Sequence, residues 1–283
     1  MTRRPASRRP PKLDAPSPSP TPHRVEGLKR KPTARQRLLR AHVSGKARLS
    51  RSELLATIRA VLRGDRSALL ELAPFEGVTL DDAFATVARV WGPDLGSPEL
   101  EAAISIDPTR TIAQAQVAFA RVADVARRGG RLAFATTRPA SLLPLYTALA
   151  RVSSDAGGQI LADEETGLVL LDDRSNRRIR WFDGVAMVVD GDALPGGAGF
   201  GVTAELAFRL PPPDLVVADR AIAGGFVRAG IETVAAAGLE AVALGLAADR
   251  GLPVTVIPLH ESQAPTGYEP LLAVAREAFK SNG

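Results

Sequence analysis

Apolar residues change their spacing along the chain near residue 130. Before it they recur at helical intervals: Leu38 and Leu39 within a basic segment starting at Thr33, then Leu54, Leu55, Ile58, Val61 and Leu62. Ser50 and Glu53 stand at capping-box spacing ahead of that second run, and Gly64 ends it. Short helices are predicted over 66–72 and 79–91, the latter opened by Thr79 and carrying Ala83, Phe84, Val87, Val90 and Trp91 on one face. Asp107-Pro108-Thr109 reads as an N-cap followed by proline at the first helical position. The helix it opens runs to Gly129 with Ile112, Ala115, Phe119, Val122 and Ala126 as its buried stripe.

Beyond Gly130, strands and helices alternate. Residues 131–136 form a continuous apolar strand, followed by a helix from Pro139 through Leu142, Leu145, Leu149 and Val152, and a strand at 159–162. Residues 167–173 and 180–190, joined by a polar turn at 174–177, predict an antiparallel hairpin inserted into the sheet. After a Gly-rich excursion at 191–201 come a strand at 214–218, a short helix with Gly224 and Gly225, a strand at 232–236, a helix at 239–249, a strand at 253–259 and a closing helix at 268–280. Buried strands separated by such helices imply a mostly parallel, Rossmann-like three-layer α/β sheet, helices on both faces. The predicted organisation is a basic tail at 1–48, a small helical segment at 49–98 and the α/β domain at 99–283.

Composition removes several classes of function. The chain has no cysteine, which excludes disulfides, thiolate nucleophiles and Cys-ligated metal sites, and its three histidines include two, His23 and His42, in the polar N-terminal segment. No apolar run approaches the ~18 residues a membrane-spanning helix needs. Residues 1–48 hold 14 Lys/Arg against Asp14 and Glu26, a net charge of +12, while the remainder carries 22 basic against 29 acidic residues, a net of −7. Eight prolines up to Pro32, with almost no apolar residues among them, predict disorder there. The tail lacks the apolar stretch of a secretory signal, so the expected location is the cytoplasm; an Arg/Ser-rich leader also fits organelle import. Clustered Lys/Arg make nonspecific nucleic-acid binding through residues 1–48 a candidate role, without aromatic residues for base stacking.

In an open parallel sheet the ligand crevice lies beyond the carboxyl ends of the strands. There the first strand delivers Thr136, Thr137, Arg138 and Ser141: hydroxyls, a guanidinium and the free amides of a helix start, a set suited to holding a phosphate. The strand at 214–218 delivers Asp219 and Arg220, with Gly224 and Gly225 beyond as substrate-binding candidates. Asp219 could hold Mg²⁺, activate water or attack, or instead cap the next helix and pair with Arg220. His260 and Glu261 end the last strand, where an imidazole can shuttle a proton. Glu232 and Glu240 also fall near this edge, and Asp183, Asp190 and Asp192 surround the hairpin. Walker, dinucleotide, nucleophile-elbow and kinase signatures are absent.

The run Pro213-Asp214-Leu215-Val216-Val217-Ala218-Asp219, followed by Ala223-Gly224 and a short helix into Gly230-Ile231-Glu232-Thr233-Val234, resembles the signature stretch of an actinobacterial family of predicted phosphatases. Residues 131–150, the long helix before them and Val256-Ile257-Pro258-Leu259 are similar too, so the resemblance covers about 105–275. Where the family reads Asp-His-Gly, this chain has Asp219-Arg220-Ala221. Its Asp-Cys-Asn-Asp-Pro run falls on Gly238 to Val242, and its last acidic pair on His260-Glu261. Of the acids the resemblance would assign to a metal, Asp219 and Glu261 remain, which implies changed or reduced activity in a divergent member.

Three readings follow. The leading one is a phosphoesterase-like hydrolase of a small phosphorylated metabolite, with Asp219, Arg220 and His260 catalytic, Mg²⁺ on Asp219 and Glu261, and phosphate held by the Thr136 loop. The alternatives are a small-anion-binding module without turnover, and the nucleic-acid role of the tail.

Overall fold

Three capping boxes start the helices of the N-terminal part. Thr33, Ser50 and Thr79 each accept from the backbone N–H three residues on, and the side chain at that position returns the bond to the cap's own N–H. They open α1 (Ala34–Arg40), α2 (Arg51–Leu62) and α4 (Leu80–Trp91), with α3 (Arg66–Leu69) between; β1 (Gly45–Ser50) pairs antiparallel with β2 (Ala103–Ile106). α5 (Pro108–Arg127) starts at Asp107, whose carboxylate accepts from Thr109 N (2.8 Å). The structure, a computed structural model, describes residues 32–93, 99–163, 169–172, 175–190 and 201–280.

From β3 (Arg131–Thr136) the chain runs α6 (Pro139–Asp155), β4 (Gln159–Leu161), β5 (Val169–Asp172), β6 (Ser175–Phe182), β7 (Val185–Asp190) and α7 (Val202–Arg209). It continues through β8 (Leu215–Asp219), α8 (Arg220–Arg228), β9 (Thr233–Ala237), α9 (Val242–Asp249), β10 (Val254–Pro258), a 3-10 turn (Pro265–Tyr268) and α10 (Glu269–Lys280). One eight-stranded sheet has the order β10-β9-β8-β3-β7-β6-β5; β4 pairs with the first half of β3 on the edge whose second half takes β7. All pairings from β10 to β7 are parallel, and β7-β6 and β6-β5 are antiparallel. The path leaves β3 toward β4 in one direction and returns to β8 to run toward β10 in the other. The crevice between the carboxyl ends of β3 and β8 is therefore the topological switch point.

Alternation along the strands builds two cores. Leu132, Phe134, Leu215 and Val217 face α5, α6 and α10, while Ala133, Ala135, Val216 and Ala218 face α2, α4, α8 and α9. Alanines on the second face let α8 and α9 lie close to the sheet. The α/β architecture with a mostly parallel sheet is as the sequence predicts. Among the described residues no helix is long and apolar enough to cross a membrane.

The compact unit that holds the sheet begins at Pro32 and includes α1 and β1, so Arg35, Arg37, Arg40 and Lys46, counted above with the tail, belong to it. The helices before residue 93 pack onto the sheet: Leu54, Ile58, Val87 and Trp91 share one core with β8 and β9, and β2 closes the pair with β1. The inserted hairpin is a three-stranded meander, because the expected strand 180–190 contains a turn. Asp183 and Gly184 have φ of 47° and 78°, the left-handed pair of a two-residue hairpin turn joining Phe182 to Val185.

Candidate active site

Asp219, the last residue of β8, is completely buried at the switch point. Its carboxylate accepts hydrogen bonds from Thr136 Oγ1 (2.5 Å), Thr137 N (2.9 Å) and Thr137 Oγ1. Thr136 Oγ1 in turn accepts from Arg138 N (2.8 Å). Burial pushes the Asp219 carboxyl up, and the bonds from Thr136 and Thr137 and the nearby Arg220 charge oppose that rise. Asp219 makes no cap bond to α8. It holds the loop across the crevice instead, and through Thr136 fixes the backbone that carries Arg138. With both oxygens taken by neighbouring donors, and no solvent exposure, the carboxylate lies in the layer beneath the cleft.

Arg220 follows directly, in the left-handed region at φ 48°. A non-glycine residue there costs about 1 kcal/mol or more and is concentrated at functional sites. Its Nη1 donates to Glu261 Oε2 (3.3 Å), and Arg138 Nε stands 3.8 Å from the same oxygen. Gly238 N donates to Glu261 Oε1 (2.8 Å). Two guanidiniums from the two sides of the switch point thus converge on one carboxylate carried by the loop after β10.

Burial raises Glu261 to about 6 despite the Arg220 charge beside it. A carboxyl raised on folding contributes stability that is fully present below its unfolded value of 4.5 and is lost as pH rises through about 6. Glu261→Gln is therefore expected to remove a fall of about 2 kcal/mol in unfolding free energy across that window, read from urea denaturation at a series of pH values.

His260 is positioned by its backbone. Its N–H donates to Val43 O (2.8 Å), and its carbonyl accepts from the Tyr268 hydroxyl (2.6 Å). Ring Nε2 lies 3.3 Å from Gly45 O, which can only accept, so Nε2 carries the proton and Nδ1 is the basic nitrogen. Burial lowers the His260 pKa below its ordinary value, which keeps the ring neutral near pH 7.

Arg138, Arg220, His260 and Glu261 line a cleft of about 320 Å³, with Glu240 and Leu239 from the β9–α9 loop and His42, Lys46 and Leu49 from the segment around β1. Thr136, Thr137 and Asp219 form the layer below. Ser141, in the first turn of α6, is not among the lining residues.

Gly224 and Gly225 do not reach the cleft either. They are buried inside α8, where a Cβ on Gly224 would overlap the Leu70 carbonyl oxygen and one on Gly225 would overlap Thr203. The lack of a side chain at both positions permits this close packing. Gly224→Ala is expected to cost about 2–3 kcal/mol of stability, measured by urea denaturation, because the obstruction is backbone rather than a movable side chain.

Glu232 precedes β9 at the opposite edge of the sheet and forms a two-point pair with Arg121 (2.6 and 2.7 Å). Asp183 pairs with Arg151 (2.6 Å) at its turn. The Asp190 side chain and Asp192 lie outside the described residues. Lys46 and His42 fall in a segment whose positive charge reads as tail, although Lys46, Ala47 and Leu49 show the polar–apolar alternation of a strand.

The acids do not fit Mg²⁺. Asp219 has its oxygens occupied by three donors, and Glu261 sits between two guanidiniums and an amide. Among the described residues no three His, Asp or Glu converge as a metal site.

The model of the Phosphatase family matches residues 29–278. Phosphatase SCO2771 of Streptomyces coelicolor is 28% identical over 245 residues, spanning 84% of this chain and 92% of its own length. Because the matched stretch runs from just before α1 into the last turn of α10 and so takes in every element of the cleft, this chain belongs to the phosphatase family, as a divergent member.

Proposed function

We propose that the chain hydrolyses a small phosphate monoester whose phosphate is held by Arg138 and Arg220 at the switch point. The observation that carries this reading is the convergence of those two guanidiniums on Glu261 inside one cleft, in a chain of the phosphatase family. A phosphate entering the cleft shares the two cations with Glu261. Its negative charge raises the Glu261 carboxyl further and favours the protonated form.

The chemistry then divides among the lining residues. His260 Nδ1, neutral and unprotonated, takes a proton from the attacking water as its oxygen bonds to phosphorus. The ester P–O bond breaks, and the protonated Glu261 returns a proton to the leaving alcohol. Arg138 and Arg220 bind the equatorial oxygens, where negative charge is concentrated in the transition state. Asp219 acts at a distance, as the positioning residue for Arg138. No step passes through a metal.

The test is release of inorganic phosphate from a panel of phosphate monoesters by the full chain, with EDTA and with added Mg²⁺. The expected result is turnover that survives EDTA. Saturable binding of phosphate without turnover of any ester would favour the small-anion-binding alternative.

A further inference from the structure

We infer that the substrate carries a second anionic group, a carboxylate or another phosphate, received by Lys46. This inference rests on the phosphatase reading of the same cleft and names the substrate class that the cleft selects.

The carboxyl ends of β3, β8, β9 and β10 follow one another along the rim, and neighbouring strands lie about 4.8 Å apart. The backbone of Arg220, after β8, therefore stands about 10 Å from the end of β10, a gap its side chain crosses to reach Glu261. The start of β1 is fastened beyond that end: Val43 O and Gly45 O both meet His260, through its backbone N–H and its ring. Lys46 is the next residue and lines the same cleft as Arg138 and Arg220. The cleft thus carries a pair of arginines that meet on Glu261 and, on the separate wall formed by β1, a lysine.

The cations differ in how their charge is used. Arg138 and Arg220 already share Glu261, whereas the Lys46 side chain is exposed and makes no ion pair or hydrogen bond among the described residues. An ammonium free at the rim of a substrate cleft is a receiver for a negative group on the ligand. Glu240, exposed on the cleft from the β9–α9 loop, is an acceptor suited to hydroxyls. A ligand matching two guanidiniums, an acceptor and a free ammonium in one cleft is a short hydroxylated phosphate ester with a second anion, such as a phosphorylated hydroxy acid or a sugar bisphosphate.

Matched substrate pairs test it. Glycerol 3-phosphate against 3-phosphoglycerate isolates a carboxylate, and fructose 6-phosphate against fructose 1,6-bisphosphate isolates a phosphate. The full chain is expected to favour the doubly anionic member of at least one pair by about tenfold or more in kcat/KM, the size of one charge-assisted contact. Which pair shows it identifies the second group. Lys46→Ala should collapse that ratio toward one, mainly through KM, and Lys46→Arg should restore it.

The inference is overturned if the unaltered chain hydrolyses these esters without preference, if Lys46→Ala keeps the preference, or if the variant slows both members equally. If none of the four esters is hydrolysed, the phosphatase reading itself falls and takes the inference with it. The two failures are thereby distinguishable.

Discussion

Arg220→Ala is expected to lower kcat/KM on phosphate monoesters by about a thousandfold, the scale of losing a preorganised donor to transition-state charge. Arg220 occupies the junction between β8 and α8 in a backbone conformation that costs energy, and its guanidinium sits inside the cleft beside Arg138. Arg220→Lys keeps the positive charge but loses the planar fork, so it should recover only part of the activity. The alanine variant also deprives buried Glu261 of its closest cation, which drives that carboxyl toward its neutral form. A circular-dichroism melt of each variant alongside the assay separates lost catalysis from lost folding. An Arg220→Ala enzyme that folds and retains near-full activity would remove Arg220 from the mechanism.

The second large effect concerns stability. Asp219→Ala strips the shared acceptor from the Thr136 hydroxyl, the Thr137 hydroxyl and the Thr137 N–H, all buried. Each orphaned buried donor costs about 1–3 kcal/mol, and the two hydroxyls can turn toward other partners, so a net loss of about 4 kcal/mol is expected. Asp219→Asn keeps one carbonyl acceptor and should lose about half as much. Urea denaturation supplies the stability, and the assay tells positioning from chemistry. If Asp219 only holds the Arg138 loop, the asparagine variant retains measurable turnover in proportion to how well that loop is kept. Complete loss of turnover at unchanged stability would instead make Asp219 the attacking or proton-accepting group.

What the sequence makes legible follows from how local each signal is. Residues 132–135, 215–218 and 234–237 are apolar throughout, which identifies strands buried on both faces, and parallel order then puts Thr136, Asp219 and His260 on one rim. The direction each side chain takes from that rim is not local. Asp219 turns inward because hydroxyls 82 and 83 residues away receive it, and Gly224 is needed because the Leu70 carbonyl arrives from a separate helix pair.

Two other signals were present but outweighed. The alternation in β1 was masked by the positive charge of its surroundings, so the wall bearing His42 and Lys46 was assigned to the tail. The Asp183-Gly184 pair is a strong hairpin signal, yet the apolar residues on both sides of it made one strand the simpler reading.

The central claim is that Arg138 and Arg220 together form the phosphate clamp. A crystal of the full chain soaked with orthovanadate, which mimics the phosphoryl group in transfer, tests it most directly. The account predicts the anion in the cleft, within about 3 Å of guanidinium nitrogens of both arginines and beside His260. Vanadate that inhibits the enzyme yet binds away from both arginines would contradict it.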